Sequence, residues 1–121
     1  MKKLLIIMIV ALLMSACTPE SSYHKISAEE AKQMMDTQAV IIVDVRTLEE
    51  YNAGHIENAI LIPNESITSE PSELNDKDAT ILVYCRSGSR SRAASDTLVE
   101  LGYKNVYDFG GIIDWPFEIV D

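Results

Sequence analysis

The sequence predicts one α/β domain whose central sheet is mostly parallel and flanked by helices. Two observations carry this. Residues 40–43 (Val-Ile-Ile-Val) and 80–84 (Thr-Ile-Leu-Val-Tyr) are unbroken apolar, β-rich runs, the pattern of strands buried on both faces. Segments with helix caps or helical spacing alternate with them, which implies a sheet covered on both sides with right-handed crossovers between parallel neighbours. A chain of 121 residues has room for one modest core.

The elements follow in order. Ser27-Ala28-Glu29-Glu30 has capping-box spacing, and Ala31, Met34 and Met35 supply the apolar face of a short first helix. The strand at 40–43 comes next. Thr47-Leu48-Glu49-Glu50 repeats the capping box and opens a second helix that Gly54 ends. Residues 59–62 form a brief strand stopped by Pro63, and 64–77, polar and containing Pro71, read as loop with at most one helical turn. After the strand at 80–84, Ala94, Leu98 and Leu101 mark a helix, with Gly102 beyond its end. Asn105-Val106-Tyr107 is the last strand, before Gly110-Gly111. No internal repeat is visible.

The N-terminus has another purpose. Lys2 and Lys3 precede an uninterrupted apolar run, 4–14, and then Ser15-Ala16-Cys17. A charged start, a short apolar stretch and small residues before a cysteine read as a bacterial lipoprotein signal peptide over residues 1–16, although Met14 stands where Leu is commoner. The run is well short of the ~20 residues that span a bilayer as a helix. Cys17 then becomes the lipidated first residue, 17–22 a short polar tether, and 23–121 the folded domain. The expected location is the cell envelope, anchored by Cys17 on the outer side of the cytoplasmic membrane or in the periplasm.

Without Lys2 and Lys3, eight basic residues face nineteen acidic ones, a net charge near −11. That argues against nucleic acid as a partner, and most of the acids read as a solvated surface. With Cys17 acylated, the second of the two cysteines, Cys85, is a lone thiol rather than half of a disulfide.

Cys85 opens the most informative stretch, Cys85-Arg86-Ser87-Gly88-Ser89-Arg90-Ser91, between the strand at 80–84 and the helix that follows. With Gly88 free to take positive φ, the loop can turn successive N–H groups toward one anion, and the helix N-terminus adds positive potential there. Cys85 beside Arg86 and Arg90 is expected to be largely thiolate at neutral pH and therefore nucleophilic. Arg92 is expected to join Arg86 and Arg90 in a positive cleft that admits small anions. Ligands of open parallel sheets bind beyond the carboxyl ends of the strands, which puts Asp44 and Cys85 at the same edge.

The loop resembles that of the rhodanese-like sulfurtransferases, which often reads Cys-Arg-Ser-Gly-x-Arg-Ser. The resemblance continues through Asp44-Val45-Arg46, Glu50-Tyr51, Gly54-His55-Ile56, Ala59, Ile62-Pro63 and Gly110-Gly111 to Trp115, covering about all of 23–115. It implies a rhodanese-like three-layer fold and a single-domain sulfurtransferase with no cofactor and no metal. Cys85 would attack the sulfane sulfur of a small anionic donor such as thiosulfate, carry it as a persulfide, and pass it to a thiol or cyanide. Backbone N–H groups of 86–91 would hold the sulfur anion, and Arg90, with Arg86 second to it, would bind the donor's charged end, so Arg86, Ser87, Gly88, Ser89, Arg90 and Ser91 are the candidate substrate-binding residues.

Asp44 and Arg46 are supporting residues with two readings: Asp44 orients a loop arginine or amide, or the two pin the loop and helix start of their own segment, which is favoured. His55 has no partner at metal or triad spacing and reads as structural, Trp115 reads as core, and the two glycines read as allowing close backbone approach to the loop. Two alternatives stand beside the enzyme. One is a tethered persulfide carrier or redox-binding module. The other is a cysteine phosphatase or arsenate reductase, disfavoured because four residues separate Cys85 from Arg90 where the phosphatase loop has five.

Overall fold

The computed structural model describes residues 21–121. The predicted signal peptide and Cys17 lie outside the described residues. No helix among those described is long and apolar enough to cross a membrane.

The elements are β1 (Tyr23–Lys25), α1 (Ala28–Thr37), β2 (Ile41–Asp44), α2 (Leu48–Ala53), β3 (Ile60–Leu61), β4 (Thr80–Cys85), α3 (Ser89–Glu100) and β5 (Asn105–Gly111), with short 3₁₀ turns at Asn64–Ser66 and Ile112–Asp114. The five strands form one sheet in the order β1-β5-β4-β2-β3, every neighbouring pair parallel. The α/β architecture is the one the sequence predicts.

Both capping boxes form. The Ser27 and Thr47 side chains accept from the Glu30 and Glu50 amides, and both glutamates return the bond to the cap backbone. β1 has no counterpart in the sequence reading. Tyr-His-Lys is too short and too polar to signal a strand, and pairing with β5 from Tyr23↔Val106 to Lys25↔Asp108 is what makes it one. β5 likewise runs four residues past the predicted Tyr107, through both glycines.

The period of two along β4 divides the core. Ile81, Val83 and Cys85 join the cluster packed with Ala94 and Leu98 of α3, while Leu82 and Tyr84 join Ala31 of α1 and Phe109. Three layers result: α3, sheet, α1. In the parallel register of β2 and β4, Asp44 stands opposite Tyr84, one residue before Cys85. The carboxyl edge of the sheet therefore carries both predicted residues.

Candidate active site

Cys85 ends β4, is 1% exposed and carries a free thiol. The Gly88 amide donates to its Sγ at 3.0 Å. That bond depends on the glycine: Gly88 sits at φ +117° immediately before α3, a conformation side-chain-bearing residues rarely adopt. The loop is also pressed against the end of β5. A Cβ on Gly111 would lie 2.1 Å from the Arg86 carbonyl oxygen and 2.6 Å from Ser87 Cα, both backbone atoms that cannot swing away. The predicted close approach is thus a steric requirement at Gly111. Ile113 N donates to the Arg86 carbonyl at 3.2 Å and adds a second tie.

Asp108, 1% exposed, fastens the base of the loop, and the sequence reading did not single it out. Its Oδ1 accepts from the Ser91 hydroxyl at 2.8 Å and from Gly110 N at 3.0 Å, and its Oδ2 from the Tyr23 hydroxyl at 2.8 Å. Burial, reinforced by that carboxylate, pushes the Tyr23 phenol up to about 12, so it stays a donor. One carboxylate joins β1, β5 and the first turn of α3. The available signal was a carboxylate inside an apolar strand, between Tyr107 and Phe109.

The candidate substrate-binding residues are not equivalent. Arg86, Ser87 and Ser89 are exposed, and Arg86 makes no ion pair among the described residues. Ser91 is fully buried, with its hydroxyl within reach of Gly88 O at 3.0 Å as well as Asp108. Arg90 is met by Glu50 of α2, Nη1 to Oε1 at 2.8 Å and Nη2 to Oε2 at 3.1 Å. The predicted three-arginine cleft does not form. Arg92 lies over the Tyr23 ring at 4.4 Å and bonds Asp96 at 3.2 Å, because residues two apart on a helix do not share a face.

The rhodanese-like domain pattern matches residues 27–116. This chain belongs to the rhodanese-like family. Among solved structures, the rhodanese with anions from E. coli is 34% identical, with a TM-score of 0.64 over 69% of this chain and 99% of that one. A rhodanese-like domain protein from Staphylococcus aureus is 36% identical, with a TM-score of 0.67 over 78% of this chain and 93% of that one. Among curated proteins, the tRNA uridine(34) hydroxylase of Yersinia pestis (strain Pestoides F) is 36% identical over 103 residues. The alignment covers 80% of this chain and 29% of that protein, so the chain spans under a third of the curated relative's length.

In this rhodanese-like domain, Asp44 and Arg46 form a buried pair, 0% and 5% exposed. Arg46 Nη2 reaches Asp44 Oδ2 at 2.7 Å and also the Gly54 carbonyl at 2.7 Å, while Asp44 Oδ1 accepts from Arg46 N at 2.9 Å. The Tyr84 hydroxyl donates to Asp44 at 2.7 Å and accepts from Ile56 N at 3.0 Å. Burial raises the Tyr84 phenol well above its ordinary range, keeping it protonated. This is the pinning arrangement: both ends of α2 are held to the carboxyl edge, and Asp44 bonds to no loop arginine or loop amide.

His55 stacks on Tyr51 at 3.7 Å with Nδ1 2.9 Å from the Tyr51 carbonyl. Trp115 packs on Phe109 beside α1. A cavity of about 1040 Å³ lies between α1 and the C-terminal segment, lined in part by Met35, Ile42, Trp115 and Phe117, and includes none of the loop. The Cys85 thiol lies outside that cavity, with the Gly88 amide directed at its Sγ.

The Glu50 carboxyl is lowered to about 2, first by the Arg90 guanidinium and then by the Thr47 cap bonds that outweigh its partial burial. A depressed acid stabilises the folded state above its ordinary carboxylate range and loses that contribution as pH falls toward 2. The Glu50–Arg90 pair is therefore intact throughout neutral and mildly acidic conditions.

Proposed function

We propose that this domain is a sulfurtransferase that carries a sulfane sulfur on Cys85. The observation that carries the reading is the buried Sγ at the strand–helix junction with the Gly88 amide directed at it from 3.0 Å. Family membership supports sulfur chemistry, and the four-residue spacing from Cys85 to Arg90 suits one sulfur atom better than a tetrahedral phosphate or arsenate.

The step balances without a cofactor. The Cys85 thiolate attacks the outer sulfur of a donor such as thiosulfate; a sulfur–sulfur bond forms at Sγ, the bond to the sulfonate sulfur breaks, and sulfite leaves with the electron pair. The persulfide anion lies beside the Gly88 amide at the N-terminus of α3, where fixed dipoles stabilise it without reorganising. A thiolate or cyanide then attacks the outer sulfur, and the Cys85 thiolate is restored. With cyanide the product is thiocyanate.

A tRNA substrate fits this chain poorly. The hydroxylase activity named for the Yersinia protein belongs to a much longer chain, and nineteen acidic residues oppose a polyanion. The test is turnover of the purified protein with thiosulfate and cyanide, beside a phosphatase assay. Many thiocyanate molecules per protein support the enzyme. Loading of Cys85 without turnover supports the carrier reading, and phosphatase activity with no sulfur transfer overturns both.

The same proposal includes a lipid on Cys17 that holds the domain in the cell envelope, supported by the charged and apolar run before Ser15-Ala16-Cys17. Cys17→Ala should give a protein without lipid that leaves the membrane fraction. An unmodified Cys17 in the mature wild-type protein, read by mass spectrometry, removes the anchor from the account.

A further inference from the structure

Arg90 is the loop guanidinium expected to receive a donor's charged end, yet its charge is already matched. Glu50 meets it fork to fork, and Glu50 is itself fixed, since its Oε1 accepts from Thr47 N at 3.0 Å and from the Thr47 hydroxyl at 3.1 Å. α2, which carries Glu50, is held in turn by Arg46 through Asp44 and Gly54 O. The acid does not reach Arg90 by chance of a flexible side chain. Glu65 adds a further negative charge to the field at Arg90. Arg86 remains exposed and makes no ion pair among the described residues.

We propose that Glu50 is a specificity-determining residue that makes this site select singly charged over doubly charged sulfur donors, by holding the Arg90 charge that a dianion requires. The inference rests on the sulfurtransfer reading above and names its substrate class: thiosulfonates and organic persulfides, whose charge lies on the reacting sulfur and whose far end is neutral. Such a donor places its anionic sulfur beside the Gly88 amide and asks nothing of Arg90. Thiosulfate carries a second charge on its sulfonate end, which must either displace a carboxylate from two charge-assisted bonds or lie beside it. The pair is partly exposed, Arg90 at 29% and Glu50 at 27% of their side chains. It opens at a cost, so the selection is graded and dianions are disfavoured rather than refused.

Thiosulfate and methanethiosulfonate form a matched pair for the test, because a methyl group replaces one charged oxygen and methanesulfinate leaves in place of sulfite. Rates of sulfur loading on Cys85 are measured by mass spectrometry on the full chain, wild type and Glu50→Gln. Glutamine keeps the capping-box position of α2 and removes only the charge. Wild type is expected to load faster from methanethiosulfonate, and Glu50→Gln to shift the ratio of the two rates toward thiosulfate by about tenfold, the scale of one ion pair between partly exposed groups. A wild-type preference for thiosulfate overturns the proposal without need of the variant. So does an unchanged ratio in a folded Glu50→Gln protein. No sulfur on Cys85 from either donor in either protein overturns the sulfurtransfer reading, and this inference falls with it.

Discussion

Cys85→Ser is expected to reduce sulfur transfer to the uncatalysed background while the domain stays folded. The side chain is 1% exposed and packs with Val83, Ala94 and Leu98, so a residue of nearly the same size is needed to leave the core intact. Serine meets that need, and its oxygen can take the Gly88 N–H that Sγ accepts at 3.0 Å. It fails on chemistry: a hydroxyl is not ionised at neutral pH and cannot form a persulfide. Thiocyanate production and the thermal melt, measured on one preparation, separate the two effects. Residual turnover well above background would move the nucleophile elsewhere.

The second large effect is on stability. Asp44→Ala should cost ~3–5 kcal/mol, because it leaves the Arg46 guanidinium, 5% exposed, without its carboxylate in a site water barely reaches. The Tyr84 hydroxyl loses its acceptor in the same change. Domains of this kind have roughly 5–15 kcal/mol in total, so the loss is a large fraction. A lower denaturant midpoint with an unchanged slope is the signature. A change below about 1 kcal/mol would mean that the pair is replaceable, as surface pairs are.

Much of this architecture is legible in the sequence where the signal is local. The capping boxes at Ser27 and Thr47 name their own partners three residues on, and the strands at 40–43 and 80–84 announce burial by continuous apolar character. Gly111 is legible in kind, as a place of close approach, although only the structure shows that Arg86 is the backbone it must clear. The unread features depend on distant partners. β1 exists because β5 lies beside it. Asp108 becomes a fastening point only when Ser91, Gly110 and Tyr23 converge on it.

Glu50 shows the limit most clearly. Its local role as a cap is sufficient to explain it in the sequence, and nothing nearby signals a second partner forty positions away in Arg90. The misplacement of Arg92 is different in kind. Helix geometry alone, with Arg90 and Arg92 two residues apart, was enough to send the second guanidinium to another face.

Covalent sulfur on Cys85 is open to one direct measurement. The reduced full chain is given thiosulfate or methanethiosulfonate without acceptor, and its peptides are then weighed. One added sulfur atom is expected on the peptide that contains Cys85, removed by cyanide with release of thiocyanate. A folded protein with its thiol reduced that carries no added sulfur from any donor would contradict it.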